Sequence, residues 1–126
     1  MKPFSSHRAI GDRGEAAVAR FLKRRGYRIL ERNYTVKGGE IDLIARRFSS
    51  IIFVEVKTRR ADTDSEKYGR AQDAVDEKKR GHLRYAASRY LSAHPTRLKP
   101  RFDVAEVYYT ETPKPKFKVY YRKEAF

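Results

Sequence analysis

The sequence predicts a single mixed α/β domain, in which two long helices flank a central mixed sheet of about five strands in the order αβββαββ. Two segments carry apolar residues at helical spacing, and five shorter segments are rich in β-branched and aromatic residues. The chain has 126 residues, which is enough for one hydrophobic core but too few for two. No internal repeat divides it, so residues 1–126 are expected to form one domain.

The first helix is predicted over residues 9–25, where five apolar residues recur at helical spacing: Ile10, Ala17, Val18, Phe21 and Leu22. Gly26 supplies a stop signal after this helix. Glu15 lies at the edge of the apolar stripe. Gly11 and Gly14 leave the neighbouring helix surface without side chains, so another part of the molecule can approach the backbone there.

Three strands are predicted after the first helix. Residues 27–34 are comparatively polar, which indicates a strand near an edge of the sheet. A glycine pair at residues 38–39 makes the turn into a hairpin. The second strand of that hairpin contains residues 51–56, a nearly continuous apolar run that is typical of a strand buried on both faces.

The hairpin brings acidic residues together. If its turn is centred on residues 48–49, the numbers of directly opposed residues sum to 97, as the sequence numbering shows. Asp42 then faces Glu55, and Glu40 faces Lys57. Opposed side chains lie on one face with Cβ atoms about 4.5–5.5 Å apart. Two carboxylates at that separation repel each other unless a cation lies between them.

A polar, charged loop is predicted over residues 59–70, directly after the acidic hairpin. Two interpretations of it stay open: a mobile flap that orders on a ligand, and an ordinary exposed connection. The second helix is predicted over residues 71–93 and ends at the His-Pro pair that follows. Its inward apolar residues are Ala71, Ala74, Val75, Leu83, Ala86, Tyr90 and Leu91.

Two closing strands are predicted at residues 102–109 and 117–121, around a proline-rich turn. Asp103 in the first of them is interpreted as structural, holding an arginine or a backbone amide. Both ends of the chain, residues 1–8 and 122–126, are expected to fray.

The charge balance points to a polyanionic partner. The chain carries 30 Lys and Arg against 16 Asp and Glu, a formal net charge of +14. Residues 1–37 and 59–101 hold the excess of basic groups, whereas residues 38–58 are balanced. Such a surface favours binding to nucleic acid first and to an anionic membrane second. No apolar run reaches the roughly 18 residues of a membrane span, and the absence of cysteine fits a cytoplasmic location.

The residue types of the hairpin suit metal-assisted phosphate chemistry. Asp42 and Glu55 are hard oxygen ligands of the kind that Mg²⁺ prefers, and the carbonyl of Val56 is a candidate further ligand. Residues two apart on a strand point to the same face, so Lys57 shares a face with Glu55. A lysine beside a metal can hold the attacking water and offset charge that develops on phosphorus. Glu15 is a candidate further acceptor from the helix edge.

Five sequence blocks resemble a known family. They are G-x-x-G-E-x-x-x-A at 11–19, G-G-E-I-D-L-I-A at 38–45, F-V-E-V-K-T-R at 53–59, A-V with a following lysine within 74–79, and R-F-D-V at 101–104. The chain resembles the PD-(D/E)XK nuclease superfamily in the order of its elements. These are a helix with Glu, then I-D, then an apolar strand ending in E-x-K, and then a second helix. Within this superfamily, the blocks together resemble the YraN family of bacterial cytoplasmic proteins, over residues 11–121.

The resemblance implies a restriction-endonuclease-like core and a nuclease that uses Mg²⁺ or Mn²⁺ to hydrolyse phosphodiester bonds in DNA, with branched or otherwise structured DNA as an expected substrate. The implied catalytic residues are Glu15, Asp42, Glu55 and Lys57. Gln72 stands where some resolvases of the superfamily place a supporting polar residue. Ile41 replaces the proline of the superfamily motif, a position that the chemistry does not need.

Basic residues of both helices and of the loop are expected to contact the nucleic-acid backbone, with DNA favoured over RNA. They are Arg13, Arg59, Arg60, Arg70, Lys78 and Lys79. A homodimer would suit the cutting of two strands. The alternative function is a non-catalytic nucleic-acid-binding module on the same scaffold.

Structural alternatives stay open for the candidate residues. Asp42 and Glu55 could belong to an ion-pair network with Lys57, although charge within buried-type strands is costly without a purpose. Glu15 could pair with an arginine at the helix surface. Three tyrosines could stack on bases or pack in the core: Tyr27, Tyr34 and Tyr68.

Overall fold

The computed structural model describes residues 7–61 and 77–126, and this part of the chain forms a five-stranded sheet with a helix on each face. The elements are α1 His7–Arg24, β1 Arg28–Val36, β2 Gly39–Arg47, β3 Ser50–Arg60, α2 Glu77–Ala93, β4 Lys99–Thr110 and β5 Lys116–Arg122. The predicted order αβββαββ is confirmed. Neither helix is long and apolar enough to cross a membrane.

The sheet is mixed because one of its strand pairs is parallel. The strands follow each other in chain order, β1-β2-β3-β4-β5, so the polar strand β1 lies at an edge as predicted. β3 and β4 pair in parallel, and the other neighbours pair antiparallel. A parallel pair needs a crossover connection from one end of the sheet to the other, and α2 belongs to that connection.

β3 is buried on both faces, as its apolar run predicted. Ile52 and Val54 join the core under α1, whereas Ile51 and Phe53 join the core under α2. β3 therefore lies at the centre of the molecule, and the charged residues at the carboxyl end of this strand are carried by a rigid support.

α1 ends where the glycine signal placed its end. Gly26 has a φ of +85°, and its N–H donates to the carbonyl of Lys23 at 3.1 Å. The Tyr27 N–H donates to the carbonyl of Leu22 at 3.0 Å, which completes a Schellman motif. Gly14 is the point at which β3 approaches the helix: a Cβ there would collide with the side chain of Thr58. The open helix surface predicted at Gly14 is thus filled by β3.

One expected boundary is wrong, the start of the predicted loop at residue 59. β3 continues through Arg60, because Arg59 and Arg60 pair with Tyr108 and Tyr109 of the parallel strand β4. The predicted loop at 59–70 therefore begins later. Its remainder from residue 62, and residues 71–76 of the predicted second helix, lie outside the described residues, so both interpretations of the loop stay open.

The carboxyl-terminal residues 122–126, expected to fray, are held against the sheet. Arg122, the last residue of β5, pairs with Val104 of β4. The Ala125 N–H donates to the carbonyl of Phe102 at 2.8 Å. The ring of Phe126 stacks on that of Phe102 with centroids 5.5 Å apart. At the other end, α1 begins at His7, inside the segment 1–8 that was expected to fray.

A buried carboxylate ties the closing strands together. Asp103 is 0% exposed and accepts bonds from Arg101, with Nε 3.0 Å from Oδ1 and Nη2 2.8 Å from Oδ2. The Tyr121 hydroxyl donates to it at 2.5 Å and the Glu124 N–H at 2.9 Å. Burial, and then the charge of Asp103, raise the pKa of the Tyr121 hydroxyl. The structural interpretation of Asp103 is confirmed.

Candidate active site

The β2–β3 hairpin has the predicted register until it reaches the acidic residues. Paired residues sum to 97 from Arg47–Ser50 to Leu43–Val54. Beyond that pair, the Val56 N–H donates to Oδ2 of Asp42 at 2.8 Å. The side chain of Asp42 therefore contacts the β3 backbone, and it also lies beside the Glu55 carboxyl group, as the predicted register expects.

The apolar alternation of β2 also breaks at Asp42. Leu43 contributes to the core under α1, whereas Ile41 contributes to the core under α2, although residues two apart in a regular strand share a face. The irregularity turns the Asp42 carboxylate towards the end of β3. It also explains why a strict period of two could not predict the direction of this side chain.

The neighbouring strand β1 is irregular at the same level. Arg32 pairs with Leu43 and Tyr34 with Ile41, which places Asn33 opposite Asp42. Asn33 has a φ of 53°, a left-handed conformation that asparagine tolerates better than most residues. Strained positions of this kind cluster at functional sites.

Glu15 of α1 reaches the same place. Its carboxyl group lies close enough to the side chains of Asn33 and Asp42 to interact with both. Burial raises the pKa of Glu15, and the nearby charge of Asp12 adds to this, while the bond to Asn33 opposes it. The structure thus brings Glu15 into contact with Asp42. The role of Asn33 was missed, because an asparagine in a polar edge strand carries no distinctive signal.

The acidic residues are crowded enough to disturb their ionisation. Burial raises the pKa of Asp42 to about 8, and the charges of Glu55 and Glu15 add to this, while the bond from the Val56 N–H opposes it. The Asp42 carboxyl group lies beside that of Glu55, and the proximity of the two acids disfavours a negative charge on Asp42. A cation between them would offset that effect.

Two lysines contact the buried Glu55. Lys57 Nζ lies 3.3 Å from Oε2 of Glu55, and Lys79 Nζ of α2 contacts the same oxygen. Burial and then the neighbouring Lys79 lower the pKa of Lys57. Burial acts against the charge of Lys79 too, but its bond to Glu55, its contact with Lys57 and the negative charges of Glu55 and Asp42 together outweigh burial and raise its pKa. Lys79, which the sequence assigned to the nucleic-acid surface, therefore belongs to the charged cluster itself.

The other residues expected to bind nucleic acid are dispersed. Arg13 on α1 and Lys78 on α2 are exposed. Arg59 and Arg60 are half-buried on β3, and Arg60 Nη1 lies 3.5 Å from a Glu111 carboxylate oxygen. Arg70 and Gln72 lie outside the described residues. Two of the three candidate stacking tyrosines pack in the core: Tyr27 is 5% exposed, and Tyr34 lies edge-on to the Tyr90 ring. The third, Tyr68, also lies outside the described residues.

The side chains present can be compared with those that a bound metal ion requires. Within residues 7–61 and 77–126, no group of three or more His, Asp or Glu side chains is arranged to hold a metal ion. Mg²⁺ does not need such a cage, since it is usually bound by one or two carboxylates with water and substrate phosphate. The mutually repelling carboxylates of Asp42 and Glu55 fit that mode.

Replacing Asp42 by asparagine is expected to stabilise the metal-free protein by about 0.5–2 kcal/mol. In the folded protein the Asp42 carboxylate must either remain charged beside other acids or take up a proton, and both cost free energy. An amide avoids both costs, and its oxygen can still accept the bond from the Val56 N–H. Urea unfolding at pH 7 in chelator measures the difference. A clear loss of stability would show that the carboxylate is a structural anchor.

The sheet topology, with a helix on each face and an acidic cluster with lysines at the end of β3, is consistent with the restriction-endonuclease-like class of α/β proteins. The chain belongs to the uncharacterised protein family UPF0102, whose model matches residues 14–107. This confirms the resemblance to the YraN family. The match spans every described residue of the acidic cluster, from Glu15 to Lys79.

Relatives of this chain share most of their length with it. UPF0102 proteins of Caldicellulosiruptor saccharolyticus and Syntrophomonas wolfei are each 42% identical to it, over 80% of this chain and 83% and 85% of theirs. One of Alkaliphilus metalliredigens is 43% identical, over 79% of this chain and 85% of its own.

Proposed function

We propose that this protein is a divalent-metal-dependent nuclease that hydrolyses phosphodiester bonds in DNA. The observation that carries the proposal is the pair of crowded carboxylates, Asp42 and Glu55, with Lys57 beside them at the end of a buried strand. Buried acids are costly to keep, the pKa of Asp42 is raised, and groups of this kind are concentrated at functional sites. The family resemblance supplies the reaction class.

Asp42 and Glu55 would hold Mg²⁺ or Mn²⁺, with the Val56 carbonyl as a candidate further ligand. A metal bound there would neutralise phosphate oxygens and lower the pKa of a bound water. The Val56 N–H fixes the orientation of Asp42, and Glu15 does so from the helix side. Such supporting bonds to a ligand matter for affinity and rate.

Lys57 would position the attacking water and offset negative charge on the phosphorus centre. Its ammonium group is held by Glu55 at 3.3 Å, and half-burial lowers its pKa. A preorganised cation in a site of low polarity interacts more strongly with developing charge than a cation in water does. Lys79, on the same carboxylate oxygen, adds a second positive charge facing the substrate phosphate.

Metal uptake tests the proposal directly. Titration calorimetry with Mn²⁺ should show binding to the unmodified protein and strong weakening in Asp42→Asn and Glu55→Gln. Glu77→Gln is the matched control, since the Glu77 side chain on α2 is 81% exposed and pairs with Arg80. Equal uptake by all four proteins would place any metal elsewhere and contradict the proposed site.

The second candidate is a non-catalytic nucleic-acid-binding module. The observation that favours it is that Glu55 already has two lysine partners, so its charge is neutralised without a metal. DNA binding that weakens steeply with salt, combined with no Mn²⁺ uptake by the unmodified protein, would support this candidate over the nuclease.

A further inference from the structure

A cavity of about 590 Å³ opens beside the acidic cluster, between the first turns of α2 and the start of β2. Its wall includes Glu55, Lys79, Lys78, His82, Gly39 and Val36. The volume lies within the range of cavities that hold small organic ligands. The cavity is continuous with the proposed catalytic centre, because Glu55 and Lys79 belong to both.

α2 packs closely against the turn into β2 because that turn is made of glycines. A Cβ on Gly39 would collide with the carbonyl oxygen of His82, so only glycine lets α2 lie this close. Val36 supplies an apolar surface on the β1 side, Lys78, Lys79 and His82 supply polar groups on the helix side, and the carboxylates of Glu40 and Glu55 also line the wall. A nucleotide has a matching division, with an apolar base face and an anionic phosphate.

α2 presents a continuous polar stripe that leads away from this cavity. Lys78, His82, Tyr85 and Arg89 are spaced by four, three and four residues, which places them on one helix face. All four are exposed. The stripe therefore extends along the helix for three turns from the cluster at Glu55.

Tyr85 is the unusual member of this stripe. It is 45% exposed, and among the described residues only Phe48 is another large hydrophobic side chain that is so exposed. The Tyr85 ring lies against the turn glycine Gly38, with Cε2 3.3 Å from where a Cβ would stand. Arg89 Nη1 donates to the Tyr85 hydroxyl at 3.1 Å, which orients the ring. An oriented, exposed ring flanked by cations is typical of surfaces that bind single strands by base stacking.

We infer that this stripe binds an unpaired segment of the substrate strand, with one nucleotide in the cavity and a neighbouring base stacked on Tyr85. The inference rests on the proposed function and specifies its substrate class: DNA with a single-stranded tail, flap or branch next to the scissile phosphate. The paired bases of an intact duplex are stacked on each other and have no face free for Tyr85. Lys78 and Arg89 provide charge complementarity to the backbone on either side.

Fluorescence anisotropy in chelator, with a labelled duplex that carries a single-stranded tail and its blunt counterpart, tests the inference. The unmodified protein should bind the tailed DNA more tightly. Tyr85→Ala should lose roughly 5- to 150-fold of affinity for the tailed DNA, the range found for stacked bases, and little for the blunt duplex. Tyr85→Phe keeps the ring and should retain the preference.

Charge variants give an independent reading. Lys78→Ala should reduce the slope of log affinity against log salt by about one for the tailed DNA. Lys23→Ala is the matched control, because Lys23 is exposed on α1, which covers the opposite face of the sheet. An equal change in slope for both variants would indicate a general electrostatic attraction between the protein and DNA. That result would overturn the inference that the stripe binds the strand.

The inference would be overturned if the unmodified protein bound blunt and tailed DNA with equal affinity. It would also be overturned if Tyr85→Ala and Tyr85→Phe had equal affinity for tailed DNA. Circular dichroism and the thermal midpoint establish that each variant is folded. Because binding is measured without metal, these results are separate from metal uptake. A protein that prefers tails but takes up no Mn²⁺ refutes the nuclease and leaves the strand-binding stripe intact.

Discussion

Replacing Glu55 by glutamine is expected to abolish metal-dependent DNA cleavage while the protein stays folded and still binds DNA. The amide keeps the size of the side chain but removes the charge that would hold the metal and that holds Lys57 and Lys79. Loss of the metal's charge stabilisation is worth several kcal/mol. Since each 1.4 kcal/mol is tenfold in rate, cleavage should fall by at least about a hundredfold.

The assay is cleavage of tailed, flapped, four-way, single-stranded and duplex DNA in Mg²⁺ and in Mn²⁺. Lys57→Ala should lower cleavage in the same way but leave Mn²⁺ uptake in place, because Lys57 is not a metal ligand. Glu77→Gln should cleave like the unmodified protein. Cleavage that persists in both purified Glu55→Gln and Lys57→Ala proteins would show that the activity has another source.

The sequence predicted those parts of the fold that depend on local pattern. The apolar run of β3 indicated burial on both faces, and the structure has a hydrophobic core covered by one helix on each side of this strand. The register of the β2–β3 hairpin followed from its short turn, because a tight turn leaves few alternatives. The stop at Gly26 followed from the conformational freedom of glycine.

The sequence could not predict features that depend on distant partners. The extension of β3 through Arg60 results from parallel pairing with β4, more than 40 residues along the chain. Lys79 lies on Glu55 because α2 crosses the sheet at that level. The contact of Glu15 with Asn33 joins a helix to an irregular strand. The motifs that contain Glu15 and Lys79 do not reveal these contacts, because the partners lie far away in the sequence.

The sequence placed Asp42 and Asp103 in different roles, and the structure supplies a physical basis for that difference. Asp103 accepts bonds from an arginine, a hydroxyl and a backbone amide, so its charge is satisfied within the fold. Asp42 accepts one backbone bond and lies beside two acids, and burial first, then the charges of Glu55 and Glu15, raise its pKa to about 8. A satisfied buried charge indicates a structural role, and an unsatisfied one is what the proposed cation site requires.

The same substitution at these two positions should therefore act with opposite sign. Asp103→Asn is expected to destabilise the protein by about 3 kcal/mol or more, as is usual when one partner of a buried ion pair is removed. Arg101, whose side chain is 17% exposed, would lose its counter-charge, and the amide nitrogen would face the Tyr121 hydroxyl or the Glu124 N–H. Against a total stability of about 5–15 kcal/mol for a typical domain, such a loss is large.

Urea unfolding of both variants beside the unmodified protein measures this contrast. Asp103→Asn should shift the midpoint to lower urea with an unchanged slope, and Asp42→Asn should shift it to higher urea. Glu77→Gln, exposed on α2, should stay within about 0.5 kcal/mol of the unmodified protein. Opposite shifts would show that the charge of Asp103 stabilises the fold, whereas the charge of Asp42 destabilises it. A loss at Asp103 no larger than that of Glu77→Gln would mean that the Arg101 network contributes little, because water replaces its bonds at no net cost.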